Sequence, residues 1–73
     1  LADVDLKIIR YLRDNPGANL EKTGNALAPF YSSTWTKTRV HALITIGTIR
    51  AELSKTGRYR LFVADPDAPE ADA

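Results

Sequence analysis

"RVHALITIGTIRAELSKTGRYRLF", residues 39–62, changes its hydrophobic period part-way along. Before Gly47 the apolar positions keep helical spacing, with Val40, Leu43 and Ile44 following Thr36 along one face. A glycine just past the last turn is a common helix stop, because it adopts left-handed backbone without steric cost. Beyond Gly47 the interval becomes two. Ile49, Ala51 and Leu53 alternate with Arg50 and Glu52, and after "SKTGR" Tyr59, Leu61 and Val63 alternate with Arg60 and Phe62. The stretch therefore reads as a helix running into a β-hairpin that lays one face on the core.

Two further helices precede it. In "DVDLKIIRYLRDN", residues 3–15, Leu6, Ile9 and Leu12, flanked by Ile8 and Tyr11, recur at helical spacing with Lys7, Arg10 and Arg13 between them. Asp3 or Asp5 is placed to cap its start, and "NPG" stops it. "LEKTGNALA", residues 20–28, follows the N-cap candidate Asn19 and ends at Pro29, with Leu20, Thr23, Gly24 and Leu27 on its inner side. A glycine inside a helix costs about 1 kcal/mol relative to alanine, so Gly24 predicts a close approach by a neighbouring helix. Ser32 or Ser33 caps the third helix, whose opposite face carries Thr34, Lys37, Thr38, His41 and Thr45.

Seventy-three residues make one domain with a modest core. The absence of cysteine excludes disulfides and cysteine-based zinc sites and suits a reducing compartment. The apolar runs are too short to span a membrane, and "LADVDLK" lacks the basic-then-apolar order of a signal peptide. The start without methionine fits a processed or trimmed piece of a longer chain. The net charge of +1 hides a strong division. Residues 1–30 balance four bases with four acids; residues 31–64 set Lys37, Arg39, Arg50, Lys55, Arg58 and Arg60 against Glu52 alone; residues 65–73, "DPDAPEADA", carry four acids and no base. A basic half of this kind points to a polyanionic partner, and the proline-containing acidic end reads as a flexible tail outside a domain of residues 1–64.

Three helices followed by a hairpin resemble a winged helix-turn-helix domain. "IIRYLRDNPGANL" is similar to that family's first helix and turn, and the stretch from Arg39 to Phe62 resembles its recognition helix, closing glycine, first strand and wing. The resemblance covers residues 3–64, with two departures: "APFYSS" is longer than the usual turn, and Thr36 stands where an aliphatic residue is common. It implies an α+β fold and binding to double-stranded DNA, as in bacterial, archaeal or phage transcriptional regulators of the cytoplasm and nucleoid. The third helix would enter the major groove, presenting Ser33, Thr34, Trp35, Lys37, Thr38 and His41, while Arg50, Lys55, Arg58 and Arg60 of the wing would meet the backbone or minor groove. Lysine donates to guanine O6 and N7; threonine hydrogen-bonds to several bases or meets a thymine methyl. The family also implies a homodimer on paired half-sites, although no dedicated dimerisation helix is visible.

Competing readings attach to several of these residues. Trp35 is equally suited to pack on Phe30 or Tyr31, Arg39 to pair with an acid on a neighbouring helix, and Ser32 and Ser33 to cap. The single histidine, His41, has no companion ligand for a metal. No nucleophile, base and orienting acid can be assembled, no Gly-rich phosphate loop is present, and neither an enzyme nor a cofactor is expected. The alternatives to a regulator are an architectural or recombination-directing DNA-binding protein and a winged helix used for protein contact, for which the outward Phe62 is a candidate.

Overall fold

The computed structural model describes residues 2–64. Helices α1 (Asp3–Asp14), α2 (Leu20–Leu27) and α3 (Ser33–Thr45) precede an antiparallel hairpin of β1 (Ile49–Leu53) and β2 (Tyr59–Val63). This is the α+β layout of a winged helix, with element bounds within a residue or two of those expected. The tail expected over residues 65–73 lies outside the described residues.

Each helix starts where its sequence provides an acceptor. Ala2 is the N-cap residue of α1, and the Asp5 carboxylate reaches back from the first turn to accept its N–H at 3.1 Å. Asn19 Oδ1 accepts from Lys22 N at 2.7 Å at the start of α2, and Ser32 Oγ accepts from Trp35 N at 3.0 Å at the start of α3. The end of α3 closes on Gly47, at φ 86°, with Thr48 N donating to Leu43 O at 2.9 Å. That bond satisfies a carbonyl the helix leaves open, and the left-handed residue it requires is the glycine.

The core lies between the helices and the inner face of the hairpin. Val4, Ile8, Ile9 and Leu12 of α1 meet Leu27 of α2, Val40 and Leu43 of α3, and Ile49, Leu61 and Val63 of the strands. Leu6, expected on the inner stripe of α1, is only half-buried, whereas Val4 and Ile8 are buried. The helix packs against α2, α3 and β2 at once, and these neighbours turn it onto its Val4, Ile8 and Leu12 line. The close approach predicted at Gly24 is present: a Cβ there would stand 2.8 Å from Ser33 Oγ and 3.4 Å from Lys37 Cε. Helix α3 therefore crosses directly over that glycine, which fixes which of its sides α2 covers.

One pairing joins the hairpin to the helices. Gly17 N donates to Leu61 O and Leu61 N to Ala18 O, both at 2.9 Å, a one-residue bridge between the segment before α2 and strand β2. The bridge draws the start of α2 against the hairpin. On the sheet itself Ile49 pairs with Val63 and Ala51 with Leu61 on the inner face, while Arg50 opposite Phe62 and Glu52 opposite Arg60 point away.

Candidate nucleic-acid interface

Helix α3 buries Thr36, Val40 and Leu43, and the opposite side of the same helix presents Thr34, Thr38, His41 and Thr45 to solvent. The hydroxyls on this outer face are partly committed. Thr38 donates to Thr34 O and Thr45 donates to His41 O, each at 3.0 Å. A threonine whose proton is held in this way turns its oxygen lone pairs and its methyl outward.

The flanks of α3 are occupied differently. Lys37 lies on the side facing α2, half-buried, with its ammonium 3.1 Å from Glu21 Oε1. Ser33 sits on the same flank over Gly24. Trp35 lies on the α1 side and remains 46% exposed, with the Arg39 guanidinium 5.8 Å from its ring centroid, so it is not a core residue. Arg39 is the side chain that ties the two helices together. Its Nε and Nη2 donate to the two oxygens of Asp5, both at 2.8 Å, so its expected pairing with an acid of a neighbouring helix is present. Hydrogen bonding from Arg39 is the main reason the Asp5 carboxyl is held below its ordinary value of 3.8; burial opposes this and the Ala2 amide adds to it.

The hairpin divides its cations in a similar way. Arg50 is neutralised by Glu52 at 2.7 Å and lies over the Phe62 ring, 5.0 Å from its centroid. Lys55 and Arg58 sit on the turn, which is held by Ser54 N donating to Arg58 O at 2.7 Å and by Gly57 at φ 84°. Arg60 points from the outer face of β2. Among the described residues Lys7, Lys22, Lys55, Arg58 and Arg60 have no counter-ion, Lys7 lying instead over the Phe30 ring at 5.2 Å, while Lys37, Arg39 and Arg50 each have one. Apart from Lys7 on α1, these cations are collected on the hairpin and the start of α2, and none is on α3.

Two depressions border these cations. A groove of about 570 Å³ runs between α3 and the hairpin, floored by Leu20, Val40, Ile44 and Leu61, with His41 on one wall and Arg58 and Tyr59 on the other. A smaller cleft of about 280 Å³ opens between the start of α2 and the hairpin and is lined by Gly17, Asn19, Lys22, Ser54, Thr56, Arg58, Tyr59 and Arg60. Lys22 was not a sequence candidate. Its place beside the hairpin follows from the bridge at Ala18, a single residue pair with no periodicity to read.

Comparison of the chain with family models, with curated proteins and with solved structures finds no match. Among the described residues no helix is long and apolar enough to cross a membrane, and no group of three or more histidine, cysteine or acidic side chains is placed to hold a metal.

Proposed function

We propose that this domain binds duplex DNA, with the outer face of α3 turned to the major groove and the hairpin along the neighbouring backbone. One observation carries the reading: four cations without a counter-ion, Lys22, Lys55, Arg58 and Arg60, are gathered on the hairpin and the start of α2, and Arg58 faces His41 of α3 across one groove. Unspent lysine and arginine beside a polar helix face are what phosphate neutralisation requires. The helix face suits base contact. Thr38 and Thr45, with their protons committed, are placed to accept from adenine N6 or cytosine N4, or to pack on a thymine methyl. Lys37 must leave Glu21 to reach a base, and an exposed ion pair of this kind holds it by less than about 1 kcal/mol. A transcriptional regulator of the cytoplasm and nucleoid is the role this reading favours, and a homodimer on paired half-sites is its expected form.

A second reading, docking to a protein, has its own support. Phe30 is 69% exposed and Ile46 64% exposed, and both are large apolar side chains in solvent. Titration against mixed-sequence duplexes over a range of salt separates the two. Lys22, Lys55, Arg58 and Arg60 set a slope of log affinity against log salt of up to roughly −4, reached when each neutralises a phosphate of its own. A salt-independent affinity, or no binding to any duplex at low salt, leaves the protein-docking reading in its place. Selection of bound duplexes from random DNA then reports the motif, and a symmetric one identifies a dimer.

A further inference from the structure

The cleft between α2 and the hairpin differs from the groove beside α3. It carries three cations, Lys22, Arg58 and Arg60, from two separate elements, and no acid lines it. None of the three has a counter-ion among the described residues. Like charges gathered in this way repel one another, and an anion seated between them relieves the repulsion.

The hydroxyls of the turn supply a further donor. Ser54 Oγ and Thr56 Oγ1 stand 2.9 Å apart and share one hydrogen bond, while Ser54 Oγ also accepts from Arg58 N at 3.3 Å. Two hydroxyls that share one bond spend one proton between them. Whichever donates, one O–H is left over at the wall of the cleft. The site thus offers guanidinium, ammonium and hydroxyl donors to a ligand that has several acceptor oxygens and negative charge.

We propose that this cleft seats a single phosphate group, gripped by Lys22 from α2 and by Arg58 and Arg60 from the hairpin. A DNA backbone phosphate and a phosphate-bearing small molecule share this chemistry; naming the backbone as the source rests on the DNA reading above. In that case Lys22 and Arg60 position the duplex by fixing one phosphate near the Ala18–Leu61 bridge, in a cleft that adjoins the α3 groove through Asn19, Arg58 and Tyr59. The consequence is sequence-independent, since a phosphate carries no base identity.

The test uses the full 73-residue chain in two arms. In the first, amide resonances are followed during titration with inorganic phosphate, against a chloride titration at matched ionic strength. Saturable shifts at Gly17, Asn19, Lys22 and Thr56 are expected, absent with chloride, and weakened about tenfold in affinity by Lys22→Ala or Arg60→Ala. In the second arm duplex DNA is titrated over salt, and each variant is expected to weaken mixed and selected duplexes equally while reducing the salt slope by less than about one unit, the Lys22→Ala, Arg60→Ala double variant reducing it by about one. Thermal melts confirm that these exposed substitutions leave the fold intact. Phosphate shifts at the cleft without duplex binding keep the site, remove the DNA reading and identify a small phosphate-bearing ligand. Duplex binding with an unchanged slope in both variants, together with phosphate shifts no different from chloride, overturns the cleft and leaves the DNA reading standing.

Discussion

Replacing Asp5 by asparagine tests what locks α3 onto α1. The carboxylate is fully buried and accepts three hydrogen bonds, from Arg39 Nε and Nη2 at 2.8 Å and from Ala2 N at 3.1 Å. Asparagine keeps the shape, but it loses the charge and sets an NH2 group where a guanidinium N–H already points. A hydrogen bond to a charged partner contributes about 1.5–3 kcal/mol net, and part of the loss is recovered because Arg39, 28% exposed, can turn its freed donors to water. The expected cost of Asp5→Asn is therefore about 2 kcal/mol, below the range of about 3–5 kcal/mol for breaking a pair buried on both sides. In a domain of this size that lowers Tm by about 8–16 °C.

The pH dependence is the sharper readout. Arg39 holds the native Asp5 carboxyl below 3.8, so the unfolded chain binds that proton more readily than the folded one. Stability from the pair is complete above the ordinary carboxylate range and is lost as pH falls through the native value. Urea unfolding of the two proteins should differ most at neutral pH and converge in acid. Arg39→Ala should reverse the sign: its orphaned carboxylate, raised by burial, favours the protonated folded form, so that variant gains stability relative to wild type as pH falls. An offset between wild type and Asp5→Asn that stays constant from neutral to strongly acidic pH would refute the reasoning, as would an Arg39→Ala protein with the same acid profile as wild type.

Other substitutions probe the two faces of α3 and the chain's end. Glu21→Gln frees Lys37 and removes an acid from the groove wall, so it should tighten all duplexes by about threefold, an effect that filter or fluorescence titration resolves and that Lys37→Ala should cancel. Thr36→Val replaces a buried hydroxyl that has no hydrogen-bond partner with a methyl of the same shape. It should raise the urea midpoint, by about 1 kcal/mol of stability, and a loss would show that the hydroxyl is satisfied. Deleting residues 66–73 removes Asp67, Glu70 and Asp72 and should strengthen nonspecific duplex binding while leaving Tm nearly unchanged; a large fall in Tm would show that the segment is docked.

The sequence discloses periodicity well and orientation poorly. The switch of period at Gly47 located α3 and the hairpin because Val40 and Leu43 keep helical spacing before it and Ile49, Leu61 and Val63 keep strand alternation after it, although Leu53 and Tyr59, on the same alternation beside the turn, are exposed. Gly24 announced its contact because a helix-interior glycine needs a reason. In α1, by contrast, Leu6 and Val4 both satisfy helical spacing, and only packing against three neighbours decides between them. Arg39 could be seen to need an acid, but Asp5 is 34 positions away and nothing local selects it. Lys37 lies about 100° around the helix from Thr36, at the border of the inner and outer faces, so the crossing of α3 over Gly24 determines its partner.

That border position changes how the candidate interface works. Had Lys37 faced open solvent, α3 would have carried both the charge and the base-reading groups, and affinity and discrimination would have risen and fallen together under mutation. Instead Glu21 neutralises Lys37 and Asp5 neutralises Arg39, so the described cations of α3 are paired before any ligand arrives. Its outer face is left with hydroxyls, methyls and one imidazole, groups that discriminate bases and attract phosphate weakly. Lys22, Lys55, Arg58 and Arg60 supply the long-range attraction from elsewhere. On the DNA reading, substitutions at Arg58 or Arg60 should move affinity and salt slope without touching sequence preference, and substitutions at Thr38 or His41 should do the reverse. Titrating both sets against a selected and a mixed duplex at several salt concentrations measures the separation directly. If Arg58→Ala instead erased the preference while Thr38→Val left it intact, the hairpin would be the base-reading element and α3 the element that positions it.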